Sequence, residues 1–242
     1  MDATIVIPAR YRSSRFEGKP LVRLGGRAMI ARVWDRCIVA LPAERVYVAT
    51  DDARIADLCR AEGIQVLMTG EDCLTGTDRV HQAALQVKAD LYVNVQGDEP
   101  LIRPDDIRVV IDAAEARFGR IVNAMCPIFE EADFRSTTVP KVVARPDGRL
   151  LYMSRAPIPT DKARAFGRAM KQVCIYAFPH AALDAFAAHG RKTPLEEIED
   201  IEILRFLELG YDVDMVEVSG ASIAVDVPED VERVERALAA TA

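Results

Sequence analysis

Short apolar runs alternate with amphipathic stretches from residue 3 to about residue 126. The runs are rich in β-branched residues and predict strands, whereas the stretches between them have apolar residues at helical spacing. The predicted strands cover residues 4–7, 45–49, 64–68, 90–95 and 121–126, and the predicted helices lie near residues 28–40, 52–62, 77–88 and 104–117. This alternation favours βαβ units, so we expect an α/β fold with a mostly parallel central sheet and helices on both faces.

The pattern changes after residue 127, where prolines interrupt shorter segments. Strand-like pieces lie at residues 141–144, 149–153 and 171–178, and helices are predicted near residues 180–188 and 196–209. We therefore expect a smaller, more antiparallel second lobe. A final apolar run at residues 222–227 precedes a Pro-Glu-Asp helix start, and the last helix should end near Leu238.

Composition excludes several classes of protein. A formal net charge of −7 argues against a surface that attracts nucleic acid as a whole. No N-terminal apolar segment indicates secretion and no apolar run is long enough to span a bilayer, so we expect a cytoplasmic protein without membrane contact. The five cysteines are widely spaced and form no C-x-x-C pair, which favours free thiols over a zinc site or disulfides.

A basic loop follows the first predicted strand, on the side of an open α/β sheet where ligands bind. Its cations are Arg10, Arg12, Arg15 and Lys19, and two hydroxyls accompany them. Gly18 gives the backbone conformational freedom just before Lys19. A loop of this kind suits an anion rich in oxygens, and polyphosphate is the obvious candidate. The loop lacks G-x-G-x-x-G and is no P-loop, because Pro20 follows Lys19. An ordinary solvated loop is the alternative.

Two acids lie where a metal-phosphate ligand would need them. Asp98 follows the buried strand at residues 93–95, and Asp226 precedes the last predicted helix. Mg²⁺ prefers one or two carboxylates together with phosphate oxygens and water, so both acids are candidate ligands. Each also has a local interpretation, because Gly-Asp is turn chemistry and an aspartate often caps a helix.

A polar loop at residues 75–79 opens another predicted helix. The backbone N–H groups of this helix start and the Arg79 side chain are able to meet a base or a phosphate. Capping of the helix by Thr75 or Thr77 is the alternative interpretation.

Five motifs, taken together, resemble those of the 3-deoxy-manno-octulosonate (Kdo) cytidylyltransferases, the CMP-Kdo synthetases. The motifs lie at residues 7–21, 48–51, 75–79, 95–100 and 225–234, in the family's order and across essentially the whole chain. The resemblance implies a Rossmann-like nucleotidyltransferase, usually dimeric, that uses CTP and Mg²⁺ to make a CMP conjugate and pyrophosphate. It also implies a single domain, with a nucleotide-binding core at about 1–126 plus 218–242 and an acceptor and dimerisation lobe at about 127–217.

The resemblance also implies roles for individual residues. Arg10, Lys19 and Asp98 would be catalytic, and Asp98 and Asp226 would bind Mg²⁺. The implied nucleotide-binding residues are Ala9, Arg10, Ser13, Ser14, Arg15, Lys19, Thr75, Gly76, Thr77, Arg79 and Gln96. The implied acceptor-binding residues are Arg155, Gln172, Tyr176, Phe178, Glu202 and Ile203.

The acceptor half departs from the family pattern at three positions. Gln172 replaces a histidine, Phe178 a tyrosine and Ile203 a glutamine, whereas Arg155 is retained and could pair with an acceptor carboxylate. Losing groups that hydrogen-bond a hydroxyl should relax or redirect the choice of acceptor. The acceptor therefore stays open between Kdo, another ulosonic acid and a small phosphonate such as phosphonoformate.

Two further interpretations stay open. A CTP-binding regulator would keep the nucleotide loop without turnover. A nucleotidyltransferase for neutral sugar phosphates would prefer UTP, GTP or dTTP over CTP.

Overall fold

A mixed sheet of nine strands forms the centre of the computed structural model, which describes residues 1–12 and 16–240. The strands are β1 (Ala3–Ala9), β2 (Arg23–Leu24), β3 (Arg27–Ala28), β4 (Val46–Thr50), β5 (Val66–Met68), β6 (Leu91–Val95), β7 (Ile121–Pro127), β8 (Lys141–Ala144), β9 (Leu150–Ser154), β10 (Met170–Pro179) and β11 (Val213–Glu217). The helices are α1 (Met29–Ala40), α2 (Ala53–Ala61), α3 (Gly76–Ala84), α4 (Pro104–Ala116), α5 (Glu131–Arg135), α6 (His180–Ala188), α7 (Pro194–Glu199), α8 (Ile203–Glu208) and α9 (Glu229–Ala240).

The main path of the sheet has the order β11-β7-β10-β6-β1-β4-β5. Strand β1 pairs in parallel with β4 and β6, and β7 pairs in parallel with β11. Strand β10 lies between β6 and β7 and is antiparallel to both, so it alone on this path runs in the reverse direction. Strands β8 and β9 extend from β10 as an antiparallel pair, and β2 and β3 form a separate two-stranded sheet. The expected mostly parallel central sheet is confirmed.

Side chains of the central strands alternate between two apolar layers, as the pleat of a strand requires. Ile5 and Ile7 pack with residues of α1, α2 and α4, whereas Val6 packs with residues of α3, α6 and α8. Because both faces of the sheet are covered by helices, its central strands are apolar at nearly every position. The expected helices on both faces are confirmed.

The elements predicted before residue 127 are all present, with ends shifted by a few residues at most. The predicted helix at residues 196–209 is wrong, because the chain forms α7 and α8 with a break between them. Asp200 at this break has a left-handed backbone with φ of 50°, which an α-helix does not accommodate. Strand β11 is absent from the predicted elements, and the final apolar run at residues 222–227 forms neither helix nor strand.

Strand β10 belongs by sequence to the predicted second lobe, yet it lies within the central sheet. The division of the chain into a nucleotide core and an acceptor lobe stays a prediction. None of the helices within the described ranges is long and apolar enough to cross a membrane.

An aromatic cluster fills the layer between β10, α6 and α8. The ring of Phe206 lies 5.3 Å from that of Phe178 and 4.8 Å from that of Phe186, measured between centroids. All three side chains are fully buried. The cluster therefore joins the reversed strand to the helices that cover it.

We predict that Phe206→Ala lowers the free energy of unfolding by about 3–5 kcal/mol, because it removes a buried ring and leaves a cavity. Urea denaturation measures the change. Phe118→Ala is the matched control, because that side chain is 79% exposed; its effect should stay within about 0.5 kcal/mol. Equal losses in the two variants would contradict the role of the cluster.

Candidate active site

The carboxyl ends of β1, β4 and β6 open at one edge of the sheet, because these three neighbouring strands are parallel. The loop after β6 passes directly against β1. A Cβ atom on Gly97 would lie 2.9 Å from the carbonyl oxygen of Pro8, which is closer than atoms pack. Glycine at this position therefore lets the loop after β6 lie on the end of β1.

Lys19 lies between the two acids that the sequence suggests as metal ligands. Its Nζ donates a hydrogen bond of 2.8 Å to Oδ2 of Asp98 and lies 3.8 Å from Oδ1 of Asp226. The backbone N–H of Val225 donates to the carbonyl oxygen of Asp98 at 2.9 Å, which fixes the two loops together. Side chains from three distant parts of the chain thus converge at one point of the sheet edge.

Asp230, in the first turn of α9, bonds to the backbone just before the helix. The carboxylate of Asp230 accepts hydrogen bonds from the backbone N–H groups of Asp226 and Val227, at 2.8 and 3.1 Å. Asp230 therefore fixes the segment that leads into α9, and the Asp226 carboxylate lies near the ammonium of Lys19. Capping of α9 by Asp226 stays an alternative interpretation.

The donor set of this convergence fits Mg²⁺. Asp98 and Asp226 approach one shared cation, the ammonium of Lys19, which shows that the two carboxylates are close enough to act on one positive centre. In the part of the chain that the structure describes, no three or more His, Cys, Asp or Glu side chains form a complete metal cage. Two carboxylates completed by phosphate oxygens and water are a common ligand set for Mg²⁺, so the site suits a metal that arrives with a polyphosphate.

Glu99 is a buried acid beside this pair, and the sequence analysis assigned it no role. Burial raises its pKa to about 7, and the neighbouring charges of Asp98 and Asp226 add to the increase. Its side chain is only 8% exposed. The sequence shows two consecutive acids after a buried strand. It does not show that the second of them, Glu99, is buried, because that burial depends on the assembled fold.

The N-terminus of α3 is capped by its own residues. The Thr75 hydroxyl accepts a hydrogen bond from the backbone N–H of Asp78, while the Asp78 carboxylate accepts one of 2.8 Å from the backbone N–H of Thr75. This reciprocal arrangement is a capping box. The capping interpretation is confirmed for Thr75, and a contact of Thr75 with a nucleotide stays a prediction.

Gln96 and Glu202 meet at the same helix start. Glu202 accepts hydrogen bonds from the backbone N–H of Thr77 at 3.0 Å and from Nε2 of Gln96 at 3.3 Å. A Cβ atom on Gly76 would lie 2.9 Å from that Nε2, so the glycine leaves room for the amide. Burial raises the pKa of Glu202, although the hydrogen bond from Thr77 opposes the increase. Glu202, a predicted acceptor-binding residue, thus contacts Thr77 and Gln96, which are predicted nucleotide-binding residues.

Arg79 is buried, and its guanidinium is hydrogen-bonded within the protein. Its guanidinium donates to Oδ2 of Asp51 at 2.8 Å and to the hydroxyl of Thr69. These contacts tie α3 to the carboxyl ends of β4 and β5. The Thr77 side chain is also buried. Direct contacts of Arg79 and Thr77 with a nucleotide stay predictions.

The basic loop is described only in part. Ala9 is buried at the end of β1 and Arg10 is exposed directly after it. Gly18 has φ of 69°, a left-handed conformation that glycine adopts without strain, and it precedes the turn that carries Lys19. The predictions for Ser13, Ser14 and Arg15 lie outside the described residues.

Three of the predicted acceptor residues lie in the core. Phe178 and Ile203 are fully buried in the layer with α3, α6 and α8, and Tyr176 stacks on Phe178 with a centroid distance of 5.7 Å. Phe178 and Ile203, which replace a tyrosine and a glutamine of the family pattern, therefore contact core residues. Their contact with an acceptor stays a prediction.

Gln172 and Arg155 each have protein partners. Nε2 of Gln172 donates to Oδ1 of Asn123 at 2.9 Å, next to an irregularity in β10. The Arg155 guanidinium donates to the backbone carbonyl oxygens of Thr137, Glu199 and Asp200. Arg155 therefore holds the turn between α7 and α8, and its pairing with an acceptor carboxylate stays a prediction.

Glu199, in the same turn, was missed by the sequence analysis. Burial alone would raise its pKa, but hydrogen bonds from Ser154 Oγ, the backbone N–H of Arg155 and Tyr152 OH outweigh burial and lower it. Nothing in the local sequence indicates these partners, because they lie on β9 and directly after it.

We predict that Glu99→Gln flattens the dependence of stability on pH in metal-free protein. The folded protein keeps the Glu99 proton up to about pH 7, whereas an ordinary glutamate loses it near 4.5, so wild-type stability should fall as the pH rises through this window. Above the window, Glu99→Gln should be more stable than wild type by on the order of 3 kcal/mol.

Melting temperatures measured in the presence of EDTA, from about pH 5 to about pH 8, check this prediction. Glu44→Gln is the control, because Glu44 is exposed and should show no such trend. A constant difference between Glu99→Gln and wild type across this range would show that Glu99 does not titrate near neutral pH.

Comparisons with known proteins identify the family of the chain. The sequence profile of the family described as Cytidylyltransferase matches residues 4–215. The chain is 41% identical to a 3-deoxy-manno-octulosonate cytidylyltransferase of Syntrophotalea carbinolica, over 97% of this chain and 98% of the relative. It is 44% identical to the protein of the same name from Anaeromyxobacter dehalogenans, over 98% of each chain.

A solved structure is also similar. It is CMP:2-keto-3-deoxy-manno-octonic acid synthetase complexed with CTP, and it matches with a TM-score of 0.91, 35% identity and coverage of 100% of both chains. Sequence and fold therefore agree along the whole length. The chain belongs to the cytidylyltransferase family, in the group of the 3-deoxy-manno-octulosonate cytidylyltransferases, and is a nucleotidyltransferase.

Proposed function

We propose that this enzyme transfers CMP from CTP to 3-deoxy-manno-octulosonate, with Mg²⁺ and with release of pyrophosphate. The observation that carries the proposal is the convergence of Lys19, Asp98 and Asp226 at the carboxyl edge of β1 and β6. A cation between two carboxylates at this edge suits the binding of a metal-polyphosphate. The names of the relatives supply the nucleotide and the acceptor.

The positions of the exchanged residues support the same acceptor as that of the relatives. Phe178 and Ile203 contact core side chains, and Gln172 bonds to Asn123. These exchanges therefore give little reason to expect a phosphonate or another ulosonic acid instead. The phosphonate stays the alternative, since it would need fewer hydroxyl contacts than a sugar acid.

Each group of residues has a separate task in the mechanism. Asp98 and Asp226 would hold Mg²⁺, which neutralises charge on the triphosphate when it is bound. Lys19, and Arg10 exposed at the end of β1, would neutralise further phosphate oxygens. An acceptor hydroxyl oxygen attacks the α-phosphorus in line, the bond from this phosphorus to the bridging oxygen breaks, and pyrophosphate leaves with the electron pair while the hydroxyl proton passes to solvent. The protein contributes positioning and electrostatics and needs no covalent intermediate.

We also propose a cytoplasmic homodimer in which residues 127–217 provide acceptor and dimer contacts. Exposed apolar side chains of this segment support the proposal. Leu151 is 56% exposed and Ile198 is 78% exposed. Large apolar side chains exposed in this way are common where proteins associate.

Pyrophosphate release tests the proposed function. The purified protein is incubated with CTP, Mg²⁺ and one acceptor at a time, namely Kdo, another ulosonic acid or phosphonoformate. Release with Kdo supports the proposal, and release only with phosphonoformate favours the alternative. CTP binding without release from any acceptor would favour a regulator, and a preference for UTP, GTP or dTTP would favour a neutral sugar phosphate as the acceptor.

We predict that Asp98→Asn lowers kcat by about 100-fold or more, because the variant loses a metal carboxylate and the partner of Lys19. Steady-state pyrophosphate assays at saturating Mg²⁺ measure the effect. Asp105→Asn is the control, because Asp105 is exposed at the start of α4 and should keep wild-type activity. Activity of Asp98→Asn near that of the control would remove Asp98 from the metal site.

A further inference from the structure

Helix α8 contacts the first turn of α3 through two charged side chains. Glu202, the residue before α8, accepts a hydrogen bond from the backbone N–H of Thr77. One helical turn later, Nη1 of Arg205 donates to Oδ1 of Asp78 at 3.2 Å. The helix start proposed to face the nucleotide is therefore held from the acceptor side at two points.

Arg205 is fully buried and each of its three guanidinium nitrogens has a hydrogen-bond partner. Its Nε and Nη2 donate to the two carboxylate oxygens of Glu196, each at 2.7 Å. Its Cζ lies 3.7 Å from the centre of the Phe186 ring, and Nη1 also reaches the carbonyl oxygen of Phe186 at 3.3 Å. One guanidinium thus joins α3, α6, α7 and α8.

Asp78 divides its two oxygens between Arg205 and the helix cap. Oδ1 accepts from Arg205, while Oδ2 accepts from the backbone N–H and the hydroxyl of Thr75, both at 2.8 Å. The direction of the Thr75 hydroxyl therefore depends on a carboxylate that Arg205 holds. A shift of Arg205 would move the cap and the first turn of α3.

A gain in the stability of the fold would be a weak reason for this network of buried charges. Burying charges costs free energy, and replacing a buried ion network by well-packed apolar residues is often neutral or stabilising. What a bidentate guanidinium provides is direction, because its planar fork fixes both carboxylates relative to each other. The geometry suits alignment of α3 with α7 and α8.

We infer that Arg205 is a positioning residue that acts through Asp78 and sets the first turn of α3 for nucleotide binding. The inference rests on the proposed function and on the nucleotide contacts predicted for Thr75, Gly76 and Thr77 at this turn. It goes further in assigning Arg205 and Asp78, which neither touch the metal carboxylates nor belong to the residues implied for the substrates. The expected consequence is a change in KM for CTP at an intact fold.

A double-mutant cycle tests the inference with Asp78→Asn, Arg205→Lys and the double variant. An asparagine places an NH2 donor where one of the two carboxylate oxygens lies, so it cannot accept from Arg205 and from Thr75 at their two positions. A lysine cannot reproduce the planar fork. Each single variant should raise KM for CTP about tenfold, since each loses a charge-assisted hydrogen bond. The double variant should be no worse than the singles, because all three break one connection.

Asp214→Asn is the matched control. Asp214 is a buried carboxylate that accepts a hydrogen bond from Nη2 of Arg120 and forms an ion pair with it. The pair lies at the amino ends of β7 and β11, at the opposite end of the parallel strands from the site. Its variant should lose melting temperature and keep KM for CTP within about twofold. A purely structural role of Arg205 would give the same result for the cycle variants.

The outcomes separate the inference from the function on which it rests. Wild-type protein without pyrophosphate release would overturn the proposed function before any variant is compared. With an active wild type, unchanged KM values or additive effects in the double variant would overturn the positioning role. If Arg205→Lys does not fold, Asp78→Asn decides, with a raised KM supporting the inference and a KM equal to that of Asp214→Asn overturning it.

Discussion

The close approach of two backbones at Gly97 and Pro8 is the constraint on which the site depends. Only a residue without a Cβ atom allows the loop after β6 to lie on the end of β1. This contact sets Asp98 beside the loop that carries Lys19, and the hydrogen bond from Val225 to Asp98 then adds the segment with Asp226. Three loops that are distant in sequence become one surface because one glycine permits their contact.

Buried charges organise the second half of the chain. Lys141 is fully buried, burial lowers its pKa, and its ammonium donates to the carbonyl oxygens of Ser136, Val139 and Arg155. Arg155 in turn donates to the carbonyl oxygens of the turn between α7 and α8. The short, irregular elements of this half are therefore fixed by cations that satisfy backbone carbonyls, where regular hydrogen-bond ladders are missing.

The sequence predicted the parallel half of the fold well, because strands covered on both faces form unbroken apolar runs that stand out between amphipathic helices. It failed at residues 196–209, where helical spacing continues across Asp200 although the backbone there is left-handed. It also failed at β11, where Asp214 interrupts an apolar run and is stabilised by Arg120 from elsewhere in the chain.

The residues of the site also fall into those that the sequence predicted and those that it did not. Lys19, Asp98 and Asp226 were identifiable because each lies next to a strand end or a helix start, and the structure brings them together. Glu99, Glu199 and Arg205 were not, since their environments depend on contacts between distant segments. A residue's burial and its partners are properties of the assembled fold, which a local pattern does not contain.

The place of β10 in the sheet has a consequence for how the protein folds. Strands β6 and β7 do not pair with each other, because residues 170–179 lie between them. During synthesis both strands keep an unpaired edge until β10 has left the ribosome, and such edges favour association between chains. Closure of the sheet between β6 and β10 also requires contacts across 80 or more residues, such as Val95 with Ile175, which slows folding relative to a fold of local contacts. The reversed strand therefore makes closure of the central sheet a late event, dependent on nearly three-quarters of the chain.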